Sequence, residues 1–262
     1  MSTNPIYNDI GKTYNSTRKA DPRITQSIVE ELNFKAPATI LDIGAGTGNY
    51  SCRIAEKGYS IIAMEPSSVM RNQGKEHENL TWKEGIVEDI PVSDNSVDGI
   101  VCTLASHHFK DLRLAFREMK RVLKSEGKII IFTLDPRLCS DDFWILEYFS
   151  PILEEAYEVH PPLHTISNLL EEELESAVRV KPFPLPNDLK DQFFFSGWNK
   201  PEIYLEERFK NGTSPLAKGD PSSVSSCLNK LKEDLDSGKW HLKHGDLLHQ
   251  KNCECGHFFL IV

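Results

Sequence analysis

The sequence predicts an α/β fold built on a doubly wound sheet of parallel strands. Two observations support this fold class. Short apolar segments alternate with helical segments over the first half of the chain, and the first apolar segment ends in a glycine-rich turn. Helices between consecutive strands return the chain to the same edge of a sheet, which makes the strands parallel. The glycine-rich turn therefore falls at the carboxyl edge, where open parallel sheets bind ligands.

The elements follow in chain order. Five buried strands are predicted at residues 38–44, 60–66, 80–85, 97–104 and 127–134, each bounded by polar residues or glycine. Helices are predicted at 49–58, ending at Gly58, and at 111–124, where apolar residues recur on one face. In the second half we predict helices at 140–157, 165–177 and 222–236, and late strands at 177–183 and 257–262.

Composition limits the partners. A chain of 262 residues, 39% hydrophobic and 26% charged, is long enough for one large domain with a core. The net charge of −9 argues against a nucleic-acid partner, because such binding needs clustered Lys and Arg. No export signal and no apolar run of about 18 residues is found, so we expect no membrane association and a cytoplasmic protein with reduced cysteines. A small-molecule partner is expected, in a monomer or homodimer.

The segment ILDIGAGTG (40–48) places glycines at every second position, 44, 46 and 48. Two cofactor classes use a loop of this kind. A dinucleotide fingerprint has the spacing G-x-G-x-x-G, which would require a glycine at Asn49. The observed spacing G-x-G-x-G instead matches enzymes that bind S-adenosylmethionine (SAM), and a nicotinamide dehydrogenase is disfavoured.

Residues 38–136 resemble class I SAM-dependent methyltransferases of the ubiquinone-biosynthesis-like branch. The motifs that carry the resemblance are LDIGAGTG, AMEPS, EGIVEDIPVSDNSVDGIVCTLASHHF and AFREMKRVLKSEGKIIIF, in the order found in the family. Segments 197–214, 234–240 and 245–248 are similar to an uncharacterised branch of the same family.

This resemblance implies a Rossmann-like domain over residues 1–262, with strand order 3-2-1-4-5-7-6 and an antiparallel last strand. It also implies N-terminal lid helices at 1–36 and helical insertions at 137–176 and 187–250 that form a cap and acceptor pocket.

Several residues around the glycine loop are predicted to bind the cofactor. Glu65 ends the second strand 17 residues after Gly48, where a carboxylate can accept hydrogen bonds from both ribose hydroxyls; the alternative is a solvated acid. Asp42 is a carboxylate within an apolar strand and needs a hydrogen-bond partner or a cation. In the family this acid orders the loop and approaches the methionyl amino group, although a purely structural role is also possible. The predicted set here is Asp42, Gly44, Ala45, Gly46, Thr47, Gly48, Glu65 and Pro66.

The resemblance also implies contacts at the two ends of the cofactor. The backbone amide of Val87 is expected to meet adenine, with Glu88 or Asp89 accepting from the exocyclic amine and neither clearly preferred. Carbonyl groups of Cys102 and Thr103 are expected to hold the methionyl ammonium.

The N-terminal segment is expected to close over the cofactor. Tyr7, Tyr14 and Arg18 recur at helical spacing, and by resemblance Tyr14 and Arg18 face the methionyl carboxylate. The alternative is a surface helix with two half-buried tyrosines.

Four histidines are candidate catalytic bases. His107 and His108 follow the fourth strand, whereas His160 and His164 lie in the region that builds acceptor pockets; each could instead be structural. No metal site is expected: prolines separate His160 from His164, and Cys253, Cys255 and His257 lack a fourth ligand, so 253–257 is predicted as a hairpin turn. Aromatic runs at 143–149 and 192–198 are interpreted as core, although some of their residues could line an apolar acceptor pocket.

These features predict an enzyme that transfers a methyl group from SAM to a small molecule and produces S-adenosylhomocysteine (SAH). The alternative is a SAM- or SAH-binding sensor or accessory protein without turnover. The sequence does not indicate the acceptor.

Overall fold

The computed structural model of the chain describes residues 17–140 and 143–262. Its main sheet has seven strands in the order β3-β2-β1-β4-β5-β9-β6. Neighbours among β1 to β5 are parallel, and β9 lies antiparallel between β5 and β6. The strands of this sheet are β1 (Thr39–Ile43), β2 (Ser60–Met64), β3 (Leu80–Lys83), β4 (Val97–Thr103), β5 (Leu123–Leu134), β6 (Arg179–Pro182) and β9 (His257–Ile261). Because β9 is the seventh long strand, the predicted order 3-2-1-4-5-7-6 is confirmed.

The helices surround this sheet. In chain order they are α1 (Pro22–Leu32), α2 (Asn49–Ala55), α3 (Ser68–Arg71), α4 (Leu112–Val122), α5 (Trp144–Val159), α6 (Leu163–Leu174), α7 (Glu207–Gly212), α8 (Ser214–Lys218), α9 (Pro221–Asp236) and α10 (Lys239–His244). None of the helices within the described ranges is long and apolar enough to cross a membrane.

The first described helix packs into the core. Asp21 caps α1 by accepting a hydrogen bond from the Arg23 amide, and a proline fills the first helical position, where a missing N–H costs nothing. Ile24, Ile28 and Leu32 lie on one face at helical spacing and are buried. Within the segment 1–36, α1 therefore contributes to the core.

The two faces of the sheet are covered differently. Side chains alternate along each strand, so Leu41 and Ile43 point to one face and Ile40 to the other. The first face packs against α4 and α6. The second packs against α1, α2 and a large aromatic cluster of the second half, which includes the buried rings of Trp144, Trp198, Tyr204 and Trp240. The interpretation of the two aromatic runs as core is confirmed.

The turn before the last strand differs from the prediction. Residues 253–257 were expected to form a hairpin, but β8 (Asn252–Cys253) pairs with β7 (Leu185–Pro186) in a separate two-stranded sheet. The prediction was wrong because β9 pairs with β5 and β6 instead of with β8. Gly256, at φ +68°, makes the bend, and its carbonyl accepts a hydrogen bond from the Asp135 amide just beyond β5.

Candidate active site

The glycine loop joins β1 to α2 with an unusual backbone. Gly44, Gly46 and Gly48 have φ values of 68°, 59° and 72°, a region that side chains disfavour. A Cβ at Gly44 would lie 2.6 Å from the Ala105 Cβ, and one at Gly48 would lie 2.8 Å from the Trp82 ring. At these two positions glycine is required by the backbone and by close protein neighbours. The expected approach of a cofactor to the loop remains a prediction.

Glu65 links the end of β2 to this loop. One carboxylate oxygen accepts a hydrogen bond from the Gly46 amide at 3.0 Å, and the other accepts from the Ser67 amide at 2.9 Å. Glu65 is buried, and burial raises its pKa, while the two amide bonds and nearby Arg71 oppose that rise. Each oxygen keeps a further lone pair that can accept from a ligand hydroxyl.

Asp42 is the second buried carboxylate at the loop. It accepts a hydrogen bond from the Ser51 hydroxyl at 2.5 Å, so it helps to fix the start of α2. Burial raises the pKa of Asp42 to about 7; the Ser51 bond opposes this shift and the charge of Glu65 adds to it. A nearby cation would favour the ionised form of this carboxyl.

A small cavity opens beside the loop. Its volume is about 30 Å³, room for a water molecule or two, so binding of a cofactor requires some surrounding atoms to move. The residues that line it are Arg18, Lys19, Asp42, Gly44, Ala45, Gly46, Thr47, Asn49, Tyr50, Thr103 and Asp191. The cavity thus brings together Asp42, four of the five predicted residues at 44–48, Arg18 and one of the two predicted residues at the end of β4, whereas Gly48, Glu65 and Pro66 do not line it.

Arg18 is held by a residue that the sequence reasoning missed. Its guanidinium donates to both carboxylate oxygens of Asp191, at 2.5 and 3.1 Å, and the Tyr50 hydroxyl donates to the same carboxylate at 3.1 Å. Asp191 is 173 positions away in the chain and belongs to no motif, so no sequence signal pointed to it. Arg18 lies outside any helix, just before α1, whereas Tyr7 and Tyr14 lie outside the described residues.

Thr103 closes the cavity at the end of β4. Within the described residues, its buried hydroxyl oxygen has no hydrogen-bond partner. The following residue, Leu104, has φ +52°, which marks a sharp turn at the end of the strand. Cys102 is fully buried, and burial strongly raises the pKa of its thiol.

The predicted adenine contacts lie apart from this cavity. Val87 is buried, and the Glu88 carboxylate accepts from the amides of Lys110 and Asp111, at 2.6 and 3.4 Å. Asp89 is exposed, and Pro66 is half-buried between Glu65 and Ser67. Glu88 therefore holds residues 110 and 111 of the segment after β4 in place. Recognition of adenine by Glu88 or Asp89 remains a prediction.

Three of the four candidate histidines lie together. The His107 ring centre is 3.9 Å from that of His108 and 4.3 Å from that of His160, which stacks on it. Surrounding protein and nearby positive groups lower the pKa of His107 strongly and that of His108 to about 4. His164 is exposed on the first turn of α6, and no ring contact joins it to the other three within the described residues.

An ion pair fixes the segment that carries His160. Asp135, just after β5, binds Arg137 at 2.9 Å, and Arg137 donates to the carbonyl oxygens of Tyr157 and His160 at 2.6 and 2.5 Å. Residues that follow two different strands thus meet at one edge of the sheet. The described ranges contain no group of three or more His, Cys, Asp or Glu side chains placed to hold a metal ion.

Comparison with known proteins identifies the family. Residues 41–131 match the model of a methyltransferase domain. A solved structure from Anabaena variabilis, described as a candidate methyltransferase from an antibiotic biosynthesis pathway, is 38% identical with a TM-score of 0.90, covering 94% of this chain and 98% of that one. The chain belongs to the SAM-dependent methyltransferases.

Curated relatives agree with this assignment over shorter spans. An uncharacterized methyltransferase of Bacillus subtilis, YcgJ, is 33% identical over 110 residues, which is 40% of this chain and 44% of that protein. The alignment therefore spans less than half of that relative. A demethylmenaquinone methyltransferase of Corynebacterium efficiens is 25% identical over 200 residues, 74% of this chain and 84% of that protein, and gives only loose support to the ubiquinone-like branch.

The residues of the cavity fit the cofactor of this family. The Asp42 carboxylate, a bare turn of backbone and a hydroxyl without a partner among the described residues face one small space, and the buried Glu65 carboxylate is hydrogen-bonded to Gly46 in its wall. These groups match the ribose hydroxyls and the ammonium group of SAM. Family membership confirms the predicted enzyme class and the predicted cofactor.

Proposed function

We propose that the protein transfers the methyl group of SAM to a small-molecule acceptor by in-line displacement and releases SAH. The observation that carries this proposal is the Glu65 carboxylate, which the Gly46 and Ser67 amides hold beside the cavity. Thr103, which also lines the cavity, comes shortly before His107 and His108 in the chain. When bound, SAM supplies an electrophilic methyl group on a sulfonium. The chain's contribution is alignment, which can lower a barrier by about 7–11 kcal/mol.

The buried carboxylates have distinct proposed roles. Glu65 accepts hydrogen bonds from both ribose hydroxyls through its remaining lone pairs, while its two amide bonds fix its orientation. Asp42 stabilises the methionyl ammonium, because a cation lowers the raised pKa of a buried acid and recovers its charge. The Thr103 hydroxyl lines the same space and completes the methionyl end.

Arg18 is proposed to bind the methionyl carboxylate while Asp191 holds its guanidinium in place. The support is that Arg18 lines the cavity and is oriented by two hydrogen bonds. We expect Arg18→Ala to weaken SAM binding much more than adenosine binding, because adenosine lacks the carboxylate. Calorimetry with both ligands measures this, and equal losses for the two ligands would exclude the contact.

The histidine group is proposed to line the acceptor side. His107 and His108 stay neutral near pH 7 because their pKa values are lowered, so each can accept a proton or a hydrogen bond. His160 stacks on His107 and reaches the same space from the segment after β5. The individual roles of these histidines follow from the identity of the acceptor.

Incubation with methyl-labelled SAM and fractionated metabolites tests the proposal. We expect labelled product from at least one fraction, and a large loss of label with Glu65→Ala. Tight binding of SAM with no labelled product in any fraction would instead support a sensor or accessory protein. The six unpaired cysteines suit a reducing compartment, so cytoplasmic metabolite fractions are the appropriate source.

A further inference from the structure

A fifth histidine lies near the acceptor side of the site. His257 begins β9, directly opposite Leu134 at the end of β5, and is 2% exposed. Its ring stacks on Phe193 at 4.9 Å between centres and lies 5.8 Å from Phe132 and 6.1 Å from Phe195. The imidazole is therefore enclosed by aromatic rings.

The hydrogen bond of this ring defines its tautomer. Nδ1 lies 2.8 Å from the Cys255 carbonyl oxygen, and a carbonyl can only accept, so Nδ1 carries the hydrogen. Burial lowers the pKa of His257 to about 3, with nearby His160 adding to the shift, so the ring is neutral at pH 7. Nε2 must then present a lone pair.

That lone pair is buried without a partner. Among the described residues, no donor reaches Nε2 of His257. A buried acceptor left unsatisfied is costly, and in a native protein it calls for an explanation such as a ligand.

The position of His257 relates it to the site. Thr103 pairs with Phe132 on β5, and Leu134, two residues further along, pairs with His257. Two strand spacings across the sheet and two residues along it, about 12 Å in all, therefore separate His257 from Thr103 in the cavity wall. His160, which stacks on His107, is near enough to influence His257. A small acceptor molecule can span this distance.

We propose that Nε2 of His257 accepts a hydrogen bond from a hydroxyl group of the methyl acceptor, and that this acceptor is a neutral aromatic molecule. The inference rests on the proposed methyl transfer and names the class of its acceptor. His257 is a binding and specificity group in this scheme. The Phe132, Phe193 and Phe195 rings supply the apolar surroundings that an aromatic body prefers.

Other acceptor chemistries fit less well. A carboxylate would set an acceptor against the Nε2 lone pair, which is repulsive. An ammonium ion would meet a neutral ring that offers no negative charge. Arg18 and Lys218 are close enough to lower the pKa of His107, so their positive charges would also repel an ammonium ion there. A hydroxyl donates one hydrogen and brings no charge.

Nitrogen NMR of the ¹⁵N-histidine-labelled full chain with SAH bound tests the tautomer and the ligand class together. The probes are phenol and anisole, which share a ring but differ in the O–H. We expect Nε2 of His257 to be unprotonated, and phenol to shift its resonance while anisole leaves it unchanged. A proton on Nε2, or equal shifts with both probes, would overturn the proposal, as would failure of phenol to bind.

Three variants sharpen the result. His257→Phe keeps a ring but removes the acceptor, and we expect phenol affinity to fall about fivefold, the value of one ordinary hydrogen bond, with SAH affinity unchanged. His257→Gln can offer an amide oxygen and should recover part of the loss, and His249→Phe, at an exposed position, should change the affinity of neither ligand. Wild-type phenol affinity in His257→Phe would refute the role.

The proposed function fails by a different measurement. If the wild-type chain does not bind SAH, the proposed methyl transfer is refuted. The protonation of Nε2 in His257 is a separate measurement on the same sample, so the two failures can be told apart. If His257→Phe does not fold, the comparison of phenol with anisole on the wild-type chain decides the inference.

Discussion

At the glycine loop, the contacts of the site join residues close in sequence: Gly46 to Glu65, 19 positions apart, and Ser51 to Asp42, nine apart. At the acceptor end, His107, His160 and His257 come from three distant segments that follow β4, follow α5 and begin β9. The first set uses backbone amides and short side chains. In the second set His160 stacks on His107, whereas His257 packs among phenylalanine rings.

This difference shows which part of a site a motif can encode. A loop whose geometry is determined by its own glycines and by the adjacent strand needs little from the rest of the chain. A cluster that depends on the insertion after β5 and on the last strand forms only when the whole sheet is in register. Substitutions in each set and a pH titration test this contrast.

Gly46→Val should abolish SAH binding. A β-branched side chain at φ +59° is strained, and the Gly46 amide must point at Glu65 to hold its carboxylate. Calorimetry measures binding, and thermal unfolding reports the fold. Gly245→Val, where an added Cβ meets no atom within 4 Å, is the matched control. Wild-type SAH affinity in the Gly46 variant would show that the loop does not contact the cofactor.

Asp191→Ala should lower the free energy of unfolding by about 3 kcal/mol, because it removes the carboxylate that accepts two hydrogen bonds from the part-buried Arg18 guanidinium. This pair joins the N-terminal segment to the second half of the chain. Chemical denaturation provides the measurement. The control is Glu175→Ala, which removes an exposed pair with Lys120 and should change stability by less than about 0.5 kcal/mol. Equal losses would show that burial of the Arg18 pair is unimportant.

Glu65→Ala should weaken SAM binding by about 1.5–3 kcal/mol, the usual value of hydrogen bonds to a charged group, without unfolding the domain. Titration of SAM and SAH by calorimetry gives the change. Glu126→Ala, at an exposed position near the start of β5, should bind both ligands as the wild type does. An unchanged dissociation constant for Glu65→Ala would remove the proposed ribose contact.

SAM affinity should rise with pH up to about 7 and then level off, by less than tenfold per pH unit. The reason is that Asp42, with its pKa raised to about 7, must lose a proton before it can pair with the methionyl ammonium. The raised pKa of Asp42 has the opposite effect on the stability of the free protein. Because the pKa of Asp42 is higher in the folded than in the unfolded state, the protonated carboxyl stabilises the fold at low pH. This stabilisation is lost as the pH rises from about 4 through 7.

Adenosine, which lacks the ammonium, is the control ligand for this profile. Its affinity should not follow the titration of Asp42. An adenosine profile that rises in parallel with that of SAM would show that Asp42 does not pair with the methionyl group.

His164→Ala should leave SAH affinity and thermal stability unchanged, since the side chain is exposed on α6 and has no ring contact with His107, His108 or His160 in the described structure. The comparison is His107→Ala, which removes a ring stacked between two others. We expect only the His107 variant to lower the melting temperature. If His164→Ala lowers the melting temperature as much as His107→Ala does, the His164 side chain packs with this group of histidines.

Much of the cofactor side was predictable from sequence. The parallel strands, the loop at 40–48 and the acid at the end of β2 follow from patterns whose physical causes are local: alternation of strands and helices, glycine at positive φ, and a carboxylate beside free amides. The strand order was predicted from the family resemblance instead. The cavity-lining residues Asn49 and Tyr50 directly follow the glycine motif, and the motif gave no reason to single them out.

The partners across long distances were decided by tertiary structure alone. Asp191 meets Arg18, and no donor among the described residues reaches Nε2 of His257, because packing of the second half against the sheet brings these segments together. The segment at 253–257 illustrates the same limit. Its residues suggest a hairpin, but a position between β5 and β6 gives β9 two hydrogen-bonded neighbours instead of one. Sequence determines what each segment can form locally, and competition among distant partners determines which pairing is made.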